Sequence, residues 1–196
     1  MKRMLIPALA MVLIYACRFK HPETEAGTKQ TDTAKKNYLP VADYLKAEIA
    51  MVDSFPLRLM RYHIVNGKTD SGIITTPVFD QLAKEFLSAD LDSSHFEKHF
   101  EENSFVDRST NLVSFTYSTK DTGYGLKRVD VLLSPGAGVE KLNTIYMESL
   151  SGNKDVSIIS KMSWKAGRNF RILHIQQPKT GKETLEQMIV VWDIRE

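Results

Sequence analysis

Beyond residue 103 the chain changes from helical to alternating periodicity and does not change back. That switch limits its fold more than any other feature. Residues 103–108, 112–119, 126–133, 142–150, 156–165, 169–177 and 184–193 all read as strands. Val113, Phe115 and Tyr117 share one face, with Ser114, Thr116 and Ser118 opposite. Trp164 lies in phase with Ile158 and Met162, and Trp192 with Met188 and Val190. The links carry turn chemistry: Asp107–Asn111, Ser134-Pro135-Gly136-Ala137-Gly138, Gly152-Asn153, Gly167 and Gly181. A parallel pair needs a crossover of about a dozen residues or more, usually a helix. No such segment separates these strands, so the sequence predicts antiparallel hairpins in a meander, not a doubly wound sheet.

The preceding stretch mixes periods. Val41, Leu45, Ile49 and Val52 recur at helical spacing over 41–53, and Pro56 ends that helix. Residues 57–66 alternate, with Leu59, Arg61, His63 and Val65 on one side and Met60, Tyr62 and Ile64 on the other. An Asn66-Gly67 turn and a short partner over 71–75 follow. Thr76-Pro77 starts a second helix, to about Ser88, and 92–101 reads as a third. The expected architecture is α+β: N-terminal helices packed on a curved, mainly antiparallel meander sheet of six to seven strands. Residues 39–196 form a single domain.

The chain start is different. Lys2 and Arg3 precede thirteen residues, 4–16, without a charge. As a helix they would span roughly 20 Å, too short for a hydrocarbon core of about 30 Å. This is signal-peptide length. The chain's one cysteine, Cys17, stands immediately after. The segment Leu13-Ile14-Tyr15-Ala16-Cys17 resembles the lipobox of bacterial lipoproteins. In that class a cysteine behind a small residue is lipidated and becomes the mature N-terminus. The resemblance implies a signal peptide over 1–16, a lipidated Cys17, and a membrane partner reached through acyl chains. Arg18, not Asp, follows the cysteine, which by the same analogy implies the outer membrane of the cell envelope. Residues 17–38 then form a flexible tether, rich in Thr, Lys and Glu, with an r.m.s. span of roughly 25 Å.

The net charge is +2, and Lys2 and Arg3 account for it, so the rest of the chain is neutral. No global field draws in nucleic acid, and no nucleic-acid partner is expected. One cysteine excludes an intramolecular disulfide framework and a Cys-based zinc cluster.

Chemistry-bearing residues are sparse. His95 and His99 share a helix face near Asp90, Asp92 and Glu97, but no third ligand is fixed by spacing and the HExxH pattern is absent. An exposed helix face is the expectation, and no metal or cofactor is implied. Ser134–Gly138 is glycine-rich, but the following residues read as a strand, whereas a phosphate cradle needs a helix. There is no G-x-S-x-G, and no catalytic residue is assigned; scattered catalysis would involve His63, His95, His99 or His174. Trp164, Trp192, Tyr117, Tyr146 and Phe170 read as core. They could alternatively line an apolar pocket with Met51, Met60, Met147, Met162 and Met188, rimmed by Lys161, Lys165, Arg168 and Arg171. The expected function is a lipid-anchored, non-enzymatic binding or scaffolding module with a protein partner. The alternatives are a carrier of a hydrophobic ligand, or a hydrolase or metal-dependent enzyme.

Overall fold

The computed structural model describes residues 38–88, 91, 93–136 and 141–192. Helix α1 (Val41–Ser54) precedes a hairpin, β1 (Leu59–Val65) and β2 (Lys68–Ile74). Helix α2 (Thr76–Ala83), a 3-10 turn (Lys84–Phe86) and α3 (Ser93–His99) follow. Seven strands complete the chain: β3 (Glu101–Asp107), β4 (Leu112–Ser118), β5 (Leu126–Ser134), β6 (Lys141–Gly152), β7 (Val156–Lys165), β8 (Asn169–Pro178) and β9 (Thr184–Val191).

All nine strands join one sheet in the order β2-β1-β9-β8-β7-β6-β5-β4-β3, with every neighbouring pair antiparallel. This corrects the expected α+β layout of helices on a six- to seven-stranded sheet. The chain is dominated by one large nine-stranded antiparallel sheet and is 21% helical. The physical reason is the β1–β9 ladder, Met60 opposite Val191 to Val65 opposite Glu186. It adds the early hairpin to the end of the late meander, so strands separated by the helical stretch share one sheet. Of the three α-helices described, two have eight residues or fewer. They insert side chains into one face and do not form a layer.

Turn chemistry fixes the register where the sequence placed it. Asn66 and Gly67 both take positive φ, 48° and 82°, as a tight two-residue hairpin turn requires. Asn66 also accepts from the Leu185 backbone N–H through Oδ1 at 3.0 Å and donates its own N–H to the Leu185 carbonyl at 2.9 Å. The turn is thereby tied to β9 as well.

Strand alternation sends one side-chain set to an inner face that carries the core. Trp164 on β7, Phe170 on β8 and Trp192 just past β9 are buried there with Phe79 of α2 and Phe86 of the 3-10 turn. Phe79 meets Trp192 edge-on at 5.3 Å between ring centres, and Phe86 meets Trp164 the same way at 5.2 Å. A second cluster joins Tyr38, Phe96, Phe100 and Tyr117. Burying each ring contributes about 1.5–3 kcal/mol, and edge-to-face contacts about 0.5–1.5 kcal/mol more. Helix α1 adds a polar clamp: Glu48 Oε2 accepts from the Gly167 N–H at 2.7 Å and from Trp164 Nε1–H at 3.3 Å. Gly167 has φ +64°, so one carboxylate closes the β7–β8 turn against the helix.

Candidate functional site

The inner face is not apolar throughout. Reading outward along β7, the phase Trp164, Met162 reaches Ser160. Along β8, Phe170, Ile172 reaches His174, and along β9, Val190, Met188 reaches Glu186. These three residues are direct cross-strand neighbours, Ser160 opposite His174 and His174 opposite Glu186. A polar belt thus crosses the sheet at one margin of the aromatic core. Ser160 is the buried polar residue of the described chain, 7% exposed. Its hydroxyl lies 2.9 Å from His174 Nδ1, and His174 Nε2 lies 3.1 Å from Glu85 Oε2 on the 3-10 turn. On β1, His63 Nε2 meets Glu186 Oε1 at 2.8 Å. Arg61, on the same face, donates to Asp70 Oδ2 at 2.8 Å. The hydrogen bond that His174 makes to the Glu85 carboxylate raises its pKa above the ordinary value, while desolvation opposes that shift.

Of the four histidines considered from sequence, His63 and His174 therefore fall on one face with Glu186 between them. His99 does not join them: its ring stacks on Tyr124 with centres 4.2 Å apart, and Nδ1 lies 3.7 Å from Asp121. Asp90, Asp92 and the His95 side chain lie outside the described residues, as does Cys17. Among the described residues no group of three or more His, Cys, Asp or Glu is placed to hold a metal ion. Ser160, Glu85 and Glu186 were not singled out from sequence. A signal did exist for Ser160, because it interrupts the otherwise apolar phase Val156, Ile158, Met162, Trp164, whereas Glu186 follows Thr184 at the polar end of its phase. Glu85 had none, since its partner stands 89 residues away.

The glycine-rich segment leads from β5 into β6, with Ser134 opposite Lys141. A strand therefore follows it, and no helix N-terminus faces the loop. Beside it, a cleft of about 150 Å³ is lined by Ser134, Lys141, Leu142, Asn143, Lys165 and Ala166. The basic residues expected to rim an inner pocket are placed otherwise. Lys161 and Arg171 project from the face opposite Trp164, since each lies in the other strand phase. Met60 does the same, opposite Val191.

That outer face is divided. Over β3–β5 it is mixed: Asn103, Thr116, Ser118 and Asp130 stand on it, but so do Phe105, 66% exposed and opposite Ser114, and Leu132. Over β6–β9 it carries an unbroken row, Leu150 opposite Ile159, Ile159 opposite Ile175 and Ile175 opposite Leu185. Leu150 and Leu185 are exposed. Tyr62 pairs with Ile189 beside this row, and Ile73, 63% exposed, pairs with Met60 toward the β2 edge. Phe79, Phe86 and Glu48 make their contacts with the sheet on the inner face. Charged residues border the apolar row in alternating sign, Arg128 opposite Glu148 and Glu148 opposite Lys161. In comparison with known proteins, no family model, no curated protein and no solved structure matches this chain.

Proposed function

We propose that this chain is a lipid-anchored protein of the bacterial cell envelope, and that its folded domain binds another protein through the outer face of β6–β9. The observation that carries the binding reading is the Leu150–Ile159–Ile175–Leu185 row. A solvated sheet face normally alternates to polar residues, and contiguous exposed apolar surface marks interaction sites. Alternating charges beside it would set the register of a partner.

The anchor rests on the lipobox-like segment at Cys17 and on physics. Two or three acyl chains bury enough CH₂ groups, at about 0.8 kcal/mol each, for stable membrane attachment. No helix among the described residues is long and apolar enough to cross a membrane. Arg18 after the cysteine supports the outer membrane as destination. The carrier reading has less support, because a ligand between sheet and helices would need space now filled by Trp164, Phe170, Trp192, Phe79 and Phe86 in mutual contact.

Two experiments test this. A photo-crosslinking residue at Leu185 of the full chain should trap one reproducible protein adduct in cells, while the same residue at Ser118, between Glu101 and Arg128 on the same face, should not. Equal adduct patterns at both positions, or none at Leu185, would refute the binding face. Separately, Cys17→Ser should lose acyl labelling and leave the membrane fraction; retained labelling would refute the anchor.

A further inference from the structure

The Ser160–His174–Glu85 chain is built like a nucleophilic relay, and we propose that Ser160 is an activated nucleophile for acyl transfer. Glu85 offers only acceptor oxygens, so the His174 Nε2 that faces it at 3.1 Å carries the proton. In the neutral ring, Nδ1 is then the acceptor, and it faces Ser160 Oγ at 2.9 Å. Both distances fall within the roughly 2.6–3.2 Å that a nucleophile–base–orienter arrangement needs. The carboxylate holds the tautomer and stabilises the imidazolium formed when the base takes a proton. The usual roles of the two ring nitrogens are exchanged, but the logic is the same: what defines such a site is geometry and role.

The surroundings narrow the substrate. Ser160 stands at the margin of the core, with Ile158 and Met162 in its own strand phase and Ile172 diagonally across on β8. On the other side stand Glu85 and Glu186, the latter directly opposite His174. Two carboxylates repel an anion, and Ile158, Met162 and Ile172 border Ser160 with aliphatic surface. The substrate class is therefore a neutral ester with an apolar acyl group. Ser149 stands directly opposite Ser160 on β6.

The step balances without an added redox partner. Ser160 Oγ bonds to the acyl carbon as His174 Nδ1 takes the hydroxyl proton. The C–O bond to the alcohol then breaks, and Nδ1 returns that proton to the departing oxygen. Water, deprotonated by the same nitrogen, cleaves the acyl-serine and restores the enzyme. This site lies on the inner face and stands or falls independently of the outer binding face.

The test uses the full chain in detergent with a neutral alkyl fluorophosphonate, whose P–F bond breaks as Ser Oγ bonds to phosphorus. Peptide mass spectrometry should place one adduct on Ser160, absent in Ser160→Ala. Removing the base in His174→Gln should slow labelling by about 10²-fold or more. Glu85 is exposed, so Glu85→Gln leaves the fold intact. It should move the midpoint of the labelling-rate pH profile downward, because it replaces the carboxylate that raises His174 with a neutral amide. An unlabelled Ser160 in folded protein would overturn the proposal. So would an unchanged pH profile in Glu85→Gln, which a merely structural strut would give.

Discussion

The backbone N–H of Leu39 donates to Tyr117 Oη at 3.0 Å, joining residues 78 apart in sequence. Tyr38 reinforces the same docking, its hydroxyl donating to the Phe100 carbonyl at 3.3 Å. The stretch entering α1 is thereby fixed to β4. Burial pushes the Tyr117 phenol well above its ordinary pKa, so the hydroxyl stays neutral and remains an acceptor for that N–H. Tyr117→Phe keeps the ring in its cluster and leaves the Leu39 N–H without a partner. An unpaired, partly buried donor costs about 1–3 kcal/mol. The denaturant midpoint should fall accordingly with an unchanged slope, and a midpoint equal to wild type would disprove the role given to this bond.

Gly152 ends β6 at φ +132°, and a β-carbon there would run into the Val156 carbonyl. Its neighbour Asn153 closes the turn by donating its N–H to that same carbonyl at 2.8 Å. Gly152→Ala is therefore strained in backbone and in space. Such positions cost of order 1–3 kcal/mol. The contrast is Gly72, where a β-carbon meets open space. Thermal unfolding should show Gly152→Ala clearly less stable and Gly72→Ala near wild type; comparable losses at both would refute the argument.

Local signals marked individual strands and turns but not their assembly into one nine-stranded sheet. The alternation of residues 156–165 gave β7 to its terminal residues, and Asn66-Gly67 gave a hairpin turn. The sheet is larger than local signals imply because β1 and β9 find each other across more than a hundred residues, and nothing local in Met60–Val65 states its partner. The polar belt was half legible. Ser160 breaks an apolar phase that the sequence displays, and His174 is among the histidines the sequence offers. That they converge follows from strand register, which only pairing supplies. The outer apolar row was hidden for a similar reason. Ile159, Ile175 and Leu185 share their strand phases with Lys161, Arg171 and Gln187, so no single strand displays an apolar outer face and the row exists only across strands.

Helices α1 and α2 bring two carboxyls together, and this gives a pH prediction. Burial, then the charge of Asp80 and a hydrogen bond with it, raise the Asp53 pKa above its ordinary 3.8. A folded-state pKa above the unfolded one means that the folded state binds the proton more tightly. The pair thus opposes folding at neutral pH, and the penalty disappears as pH falls through the raised value toward 3.8. Asp53 is exposed, so solvent screening keeps the effect small. Asp53→Asn should gain about 0.5 kcal/mol near neutral pH and nothing below the raised pKa. A gain of equal size in acid would show that charge is not its cause.

The β3–β4 turn behaves in the opposite sense. Asp107 accepts from the Ser109 hydroxyl at 2.7 Å, the Thr110 hydroxyl at 2.8 Å and the Ser109 N–H at 2.8 Å. Asn111 completes the turn at φ +55°. Those donors favour the carboxylate, the Ser109 hydroxyl foremost, and draw the Asp107 pKa down to about 2. The stabilisation is therefore complete above the ordinary 3.8 and is lost as pH falls from there toward about 2. A carboxyl-carbon NMR titration should place the Asp107 midpoint well below those of other exposed carboxylates. Ser109→Ala removes the leading donor and should return the midpoint part of the way, while Arg108→Ala, which removes no bond to Asp107, should not restore it. A midpoint near 3.8 in the wild type would mean that the turn does not hold the carboxylate in solution.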